Sequence, residues 1–201
     1  MKKIAVILLA VVLLAGCKKV DYTEKIQYHP KKGSDLARVK IVEWSDFQCP
    51  SCGSAYQQLG PVFKQYADGI QVDLRHFPLT SIHPYALGAA VAAECAADQG
   101  KFWEYHDLLF ENQTDLKKKD LITYATRLGL DTTLFQNCYD SQVKNKQVRA
   151  DIDEGKKLGI DSTPTFFIDG KKVDNWTTIP QMLAALLPAS APTSTPSILL
   201  K

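Results

Sequence analysis

Residues 43–56 read EWSDFQCPSCGSAY, and the pair Cys49 and Cys52 within them decides how the rest of the chain is understood. A CxxC pair serves as half of a zinc site, as an inert bridge, or as a couple that alternates between dithiol and disulfide. Zinc takes about four ligands, and the chain offers neither a second CxxC nor a closely spaced histidine pair. His29, His76, His83 and His106 are scattered, so neither a metal nor a prosthetic cofactor is expected. A purely structural bridge would close a very small loop, where cross-linking removes little unfolded-chain entropy. The redox reading has a positive basis in position. VKIVEW, residues 39–44, has the β-branched and aromatic make-up of a strand, and Pro50 suits the first turn of a helix. Cys49 then falls at a helix entrance, where unpaired N–H groups and the helix dipole favour a thiolate. It is the expected attacking sulfur, and Cys52, one turn further on and deeper, is the expected resolving one.

Outward from this pair, a helix is expected from Pro50 through Tyr66, kinked at Pro61. IQVDLRHF, residues 70–77, alternates as a second strand, which makes a β-α-β unit with parallel strands. From His83 to Leu158 the periodicity is helical, with Asp120 and Asp131 as expected caps and Gly100 and Gly129 as expected stops. A strand at Thr165–Ile168, an Asp169-Gly170 turn, a strand through Val173 and a helix over Ile179–Leu187 close the pattern. The Trp103, Tyr105, Leu108, Leu109 and Phe110 cluster has core spacing. Lys117 to Lys119 reads as a solvated helix entrance. His76 and His83 flank the junction of the two parts, to line the active face or to pack and cap at that joint.

The chain of 201 residues opens with Lys2 and Lys3 and runs apolar from Ile4 to Ala15. That run has the length of a secretory signal and falls short of the ~20 residues that span a bilayer. It ends in Leu14-Ala15-Gly16-Cys17, which resembles the bacterial lipobox. The resemblance implies a diacylglycerol on the Cys17 thiol and removal of residues 1–16. Without Lys2 and Lys3 the basic and acidic side chains balance at 22 each, so a nucleic-acid partner is not expected. The expected organisation is a signal peptide at 1–16, a lipidated tether at 17–35 and a first half-domain at 36–80. An inserted helical domain at 81–158 and a second half-domain at 159–187 follow, and a disordered Pro/Ser/Thr-rich tail at 188–201 ends the chain. An acyl-anchored domain of this kind faces an oxidising compartment, the bacterial cell envelope outside the cytoplasm.

The order β-α-β, helical block, β-β-α is an α/β arrangement. Together with FQCPSC (47–52), RHFPL (75–79), HPYALGAAVAAECAADQGKFWEYHDLLF (83–110) and GIDSTPTFFIDG (159–170), it resembles the DsbA-like thiol:disulfide oxidoreductases of the thioredoxin superfamily. The likeness covers about Leu36 to Leu187, most of the chain. It implies the thioredoxin fold with an inserted α-helical domain, here in the lipoprotein form that the lipobox-like run implies. It also implies that Pro164 is cis and, with Thr163, lies beside the active cysteines, where an extended substrate pairs with backbone. A proline that merely opens a strand is the plainer alternative. Glu43 matches the acidic residue that family members bury beneath the disulfide, there to relay the Cys52 proton. The alternative is a solvent-facing strand residue. Pro50 and Ser51 tune the couple, and the most oxidising members carry Pro-His in their place.

The implied partners are exported proteins with cysteine thiols and a DsbB-like, quinone-linked membrane oxidase. The same site run backwards would be an isomerase or reductase supplied by a membrane electron donor. A peptide-binding lipoprotein that has kept only the fold is a third reading. Cys95 and Cys138 remain. In an oxidising compartment they are expected to be bridged, the other outcome being two separate buried thiols.

Overall fold

Residues 30–187 are described in the computed structural model, and five strands among them make one sheet. They are Lys31–Gly33 (β1), Val39–Ser45 (β2), Ile70–His76 (β3), Thr165–Ile168 (β4) and Lys171–Lys172 (β5), in the spatial order β1-β3-β2-β4-β5. β2 and β3 are parallel, from Val39 opposite Ile70 to Ser45 opposite His76. Parallel neighbours need a crossover, and the helix Pro50–Gln65 (α1) supplies it. β1 pairs antiparallel with β3, β4 with β2, and β5 with β4.

The side-chain period of two sorts β2 onto opposite faces. Val39 and Ile41 pack with Ala55 and Leu59 of α1 and with Ile179 and Leu183 of the closing helix Ile179–Leu186 (α7). Trp44 joins Phe77 and Ile160 in a separate cluster. α1 runs unbroken through Pro61.

Between β3 and β4 lie Ala86–Ala97 (α2), Phe102–Glu111 (α3), Lys118–Arg127 (α4), Thr132–Ser141 (α5) and Asn145–Lys157 (α6). α2 buries nine of its residues, and a helix apolar on all sides belongs at the centre of a bundle. Buried polar contacts tie this block to the sheet. His76 Nε2 lies 2.9 Å from Glu94 of α2, whose other oxygen accepts from Gln147 of α6 at 2.6 Å. The His76 N–H donates to Asp151 at 2.9 Å, and Arg75 pairs with Asp73, Asp151 and Glu154.

Three sequence expectations change in detail. The tether expected through residue 35 ends earlier, because Lys31–Gly33 is an edge strand. Three polar or glycine residues carry no alternation, and the pairing is made by backbone alone. Gly33 is required there: its φ is +101°, and a Cβ would stand 2.3 Å from the Ile70 carbonyl oxygen. Asp120 sits inside the first turn of α4 and reaches back to the Lys117 N–H, whereas Asp131 does cap α5 by accepting from Thr133 and Leu134. The last strand stops at Lys172, one residue short of Val173. Cys17, the expected signal peptide and the expected tail from 188 onward lie outside the described residues.

Candidate active site

Cys49 is the N-cap of α1, in extended conformation, and Pro50 takes the first helical position, where a missing N–H costs no hydrogen bond. Cys49 is 7% exposed and Cys52 is fully buried, so the first residue is the more accessible of the two. Both are free thiols. The hydrogen bond from the Cys52 thiol brings Cys49 down to about 5, against the opposing effect of burial. The Thr163 hydroxyl and the N–H groups of Cys52 and Ser51 act in the same direction. Burial, the Cys49 sulfur and the Glu43 charge push Cys52 well above the ordinary thiol range. One CxxC pair thus holds a stabilised thiolate and a retained thiol. Pro50 and Ser51 between them are exposed.

The floor of the site comes from β2. Glu43 is buried in the strand, opposite Leu74 and Phe166, and burial lifts its carboxyl from 4.5 to about 7, with the Ser45 hydroxyl pulling the other way. A carboxyl that titrates near neutrality beneath a high-pKa thiol can give or take that thiol's proton. The opposite wall is the turn before β4. The Thr163–Pro164 peptide is cis, and the Thr163 carbonyl oxygen stands 3.4 Å from the Cys49 sulfur, accepting from it when it is protonated. Residues 43, 49, 52, 163 and 164, scattered over the chain, thus converge at one place.

Other residues hold this loop and carry no motif that marks them. The buried Asp46 carboxylate accepts from the N–H groups of Gln48 at 2.7 Å and Leu79 at 2.8 Å, and stands 2.7 Å from His83 Nδ1. Gln48 Oε1 accepts from the Tyr85 N–H at 2.7 Å. Gln113, in the turn after α3, donates to the carbonyls of Phe47 and Cys49, each at 2.9 Å. Asp46 had a weak sequence signal, since an Asx residue three positions before a helix cap often accepts from the backbone. Gln113 had none, because its partner lies 64 positions away.

Beside Glu43 a cavity of about 570 Å³ opens between α1, β1 and α3, lined by Tyr56, Leu59, Trp103, His106 and Phe110 among others. Burial lowers the affinity of His106 for its proton. His76 and His83 are both structural partners at the joint, with Glu94 and Asp46 respectively. Cys95 and Cys138 are bridged between α2 and α5, with Cα atoms 5.8 Å apart. Among the described residues no group of three His, Cys, Asp or Glu side chains is placed to hold a metal ion.

The thioredoxin family model matches residues 26–187. A curated relative from Salinispora tropica, named Na(+)/H(+) antiporter NhaA 3, is 39% identical over 160 residues, 80% of this chain and 24% of the relative. The chain therefore spans about a quarter of the length of the curated relatives it matches. No helix among the described residues is long and apolar enough to cross a membrane. Among solved structures, oxidised BdbD from Bacillus subtilis is 26% identical with a TM-score of 0.69, over 79% of this chain and 90% of that one. MdbA, a thiol-disulfide oxidoreductase from Corynebacterium diphtheriae, is 25% identical with a TM-score of 0.62, over 75% of this chain and 84% of that one.

Proposed function

The chain belongs to the thioredoxin family, in the DsbA-like form with a helical insertion, and from that premise we propose that it introduces disulfides into exported proteins by exchange at Cys49 and Cys52. The observation that carries this reading is the placing of the two thiols, Cys49 at the cap of α1 against the cis Thr163–Pro164 turn and Cys52 buried one turn on, which favours the thiolate of the first and the protonated form of the second.

In the oxidised enzyme a substrate thiolate attacks Cys49, the more accessible of the two. The Cys49–Cys52 bond breaks, its electron pair goes to Cys52, and Glu43 supplies the proton that the departing sulfur needs. The substrate is then joined to Cys49 beside Thr163 and Pro164. A second substrate thiol, deprotonated to solvent, attacks the substrate's own sulfur in this mixed disulfide and releases Cys49 as a stable thiolate. The substrate loses two electrons and the pair gains them. A DsbB-like membrane oxidase would take them on. Stabilising the reduced form in this way makes a disulfide more oxidising.

Without the Pro-His dipeptide of the strongest oxidants, Pro50 and Ser51 leave fewer groups to stabilise the thiolate. That observation favours keeping a second reading, exchange in the reductase or isomerase direction. We place the protein in the cell envelope, lipid-anchored through Cys17 and facing away from the cytoplasm, on the support of the lipobox-like run alone. Oxidation of a reduced, unfolded substrate by purified protein tests the main reading. It should proceed with stoichiometric reduction of Cys49 and Cys52, and a Cys52→Ala variant should accumulate mixed disulfides. An in vivo active pair found fully reduced would turn the direction round. Fatty-acid labelling lost in Cys17→Ser tests the anchor.

A further inference from the structure

The two carbonyls gripped by Gln113 are those on which the geometry of the nucleophile depends. The Cys49 carbonyl accepts the first helical hydrogen bond of α1, from Gly53 at 3.1 Å, and also the Gln113 amide at 2.9 Å. The same nitrogen holds the Phe47 carbonyl at 2.9 Å, on the near side of the Asp46–Cys49 turn. Phe47 is gripped at its side chain as well, its ring packed against His106 and Phe110 of α3. The turn that carries Gln113 is itself fixed: Asn112 donates to Leu108, the Asp115 N–H to the Asn112 carbonyl, and the Tyr124 hydroxyl to the Asp115 carbonyl. Its place on α1 depends on Gly53, where a Cβ would stand 2.1 Å from Gln113 Oε1. A glycine in the second turn of a helix costs about 1 kcal/mol against alanine, and here it makes room for this amide.

We propose that Gln113 is a positioning residue for Cys49: its side-chain amide clamps the Phe47 and Cys49 carbonyls and so aims the Ser51 and Cys52 N–H groups at the Cys49 sulfur. The inserted domain thereby sets the strength of the nucleophile in the other domain. Two effects follow from the clamp. It fixes the main chain on both sides of the cap, and its donors offset the negative ends of two carbonyl dipoles close to the thiolate. The proposal rests on the reading of Cys49 as the attacking thiolate.

The test is a double-mutant cycle read by thiolate absorbance at 240 nm during a pH titration of the reduced, full-length protein. Gln113→Met keeps the shape and removes the donors. Gly53→Ala keeps every polar group, favours the helix, and forces the flexible end of Gln113 off the carbonyls. Each single variant should raise the Cys49 midpoint by about half a pH unit, equivalent to a roughly threefold shift of the equilibrium with glutathione toward the disulfide. The double variant should add nothing further, because both changes break one contact. Midpoints equal to wild type in either single variant, or a double variant that shifts by the sum, overturn the proposal. If Gln113→Met does not fold, Gly53→Ala decides alone. Wild-type protein that shows no thiolate below neutral pH and no exchange would instead sink the functional reading, whatever the variants do.

Discussion

Cys49 and Cys52 stand at the mouth of one helix, whereas Cys95 and Cys138 lie 43 positions apart and join two helices of the inserted domain. The residue type is the same, and the surroundings differ in what they offer an anion. Cys49 caps an unfinished helical turn whose Ser51 and Cys52 N–H groups favour its thiolate, and it is 7% exposed. Cys95 sits inside α2 among alanines, where the backbone donors are already used within the helix and 1% of the residue is exposed. Cys138 lies in the second half of α5, toward the carbonyl end, where the dipole opposes a negative charge. Exchange needs an attackable sulfur and a stable leaving thiolate. Cys138 is the more exposed sulfur-bearing residue, so what sets the first pair apart is the stable thiolate, and the second pair joins two helices as a cross-link. What a cysteine pair does is thus decided by the backbone around it.

The largest effect that would break this contrast is on exchange itself. Cys49→Ala should lower substrate oxidation by roughly a thousandfold or more, while Cys95→Ala with Cys138→Ala leaves it within a few-fold. Comparable rates in the two variants would erase the distinction. On stability the order reverses. Opening a loop of 43 residues should lower the unfolding free energy by about 4 kcal/mol, measured in urea with the active pair held reduced.

Glu43 sharpens the comparison, because its buried carboxyl acts on Cys52 of the active pair. Its value rises from 4.5 unfolded to about 7 folded, so its burial is tolerated below pH 4.5 and becomes more costly as pH climbs through 7. Glu43→Gln should therefore stabilise the protein at pH 8 by on the order of 3 kcal/mol and change little at pH 4. The same variant should slow mixed-disulfide formation near pH 7 by roughly tenfold, through loss of the proton donor to Cys52.

The Cys49 thiolate works in the opposite sense. A thiol lowered from 9.0 to about 5 stabilises the folded reduced protein fully above pH 9 and loses that contribution as pH falls through 5. The gap in urea midpoint between reduced and oxidised protein should close between pH 7 and pH 4. The smallest expected change is in Thr163→Val, which keeps the carbonyl contact and removes the hydroxyl. It should raise the thiolate midpoint by a few tenths of a pH unit, read at 240 nm.

Much of this was legible before any coordinates. The strand VKIVEW, the Pro50 helix start and the shift to helical periodicity after His83 follow from side-chain spacing and proline geometry, which are local properties. The place of Cys49 at a helix entrance, on which its reading as the attacking sulfur rests, followed in the same way. The edge strand at Lys31–Gly33 did not, because backbone pairing at a sheet edge needs no side-chain pattern. Nor did the contacts of Asp46 with Leu79 and His83 or those of Gln113 with Phe47 and Cys49, which span between 33 and 66 positions.

By itself, the sequence determined the class of chemistry. A lone CxxC at a helix start, without a second pair of metal ligands, favours the redox reading over a zinc site or a small inert bridge, and hydrophobic periodicity divides the chain into two halves around a helical block. The tertiary structure alone decided how far burial lifts Glu43, that Cys95 and Cys138 come within bridging distance, and that Gln113 of one domain holds the carbonyls of the other. The physical reason is the range of the forces involved. Helix entry and strand alternation are set within a few residues, whereas desolvation and long-range hydrogen bonds exist only when distant segments have packed together.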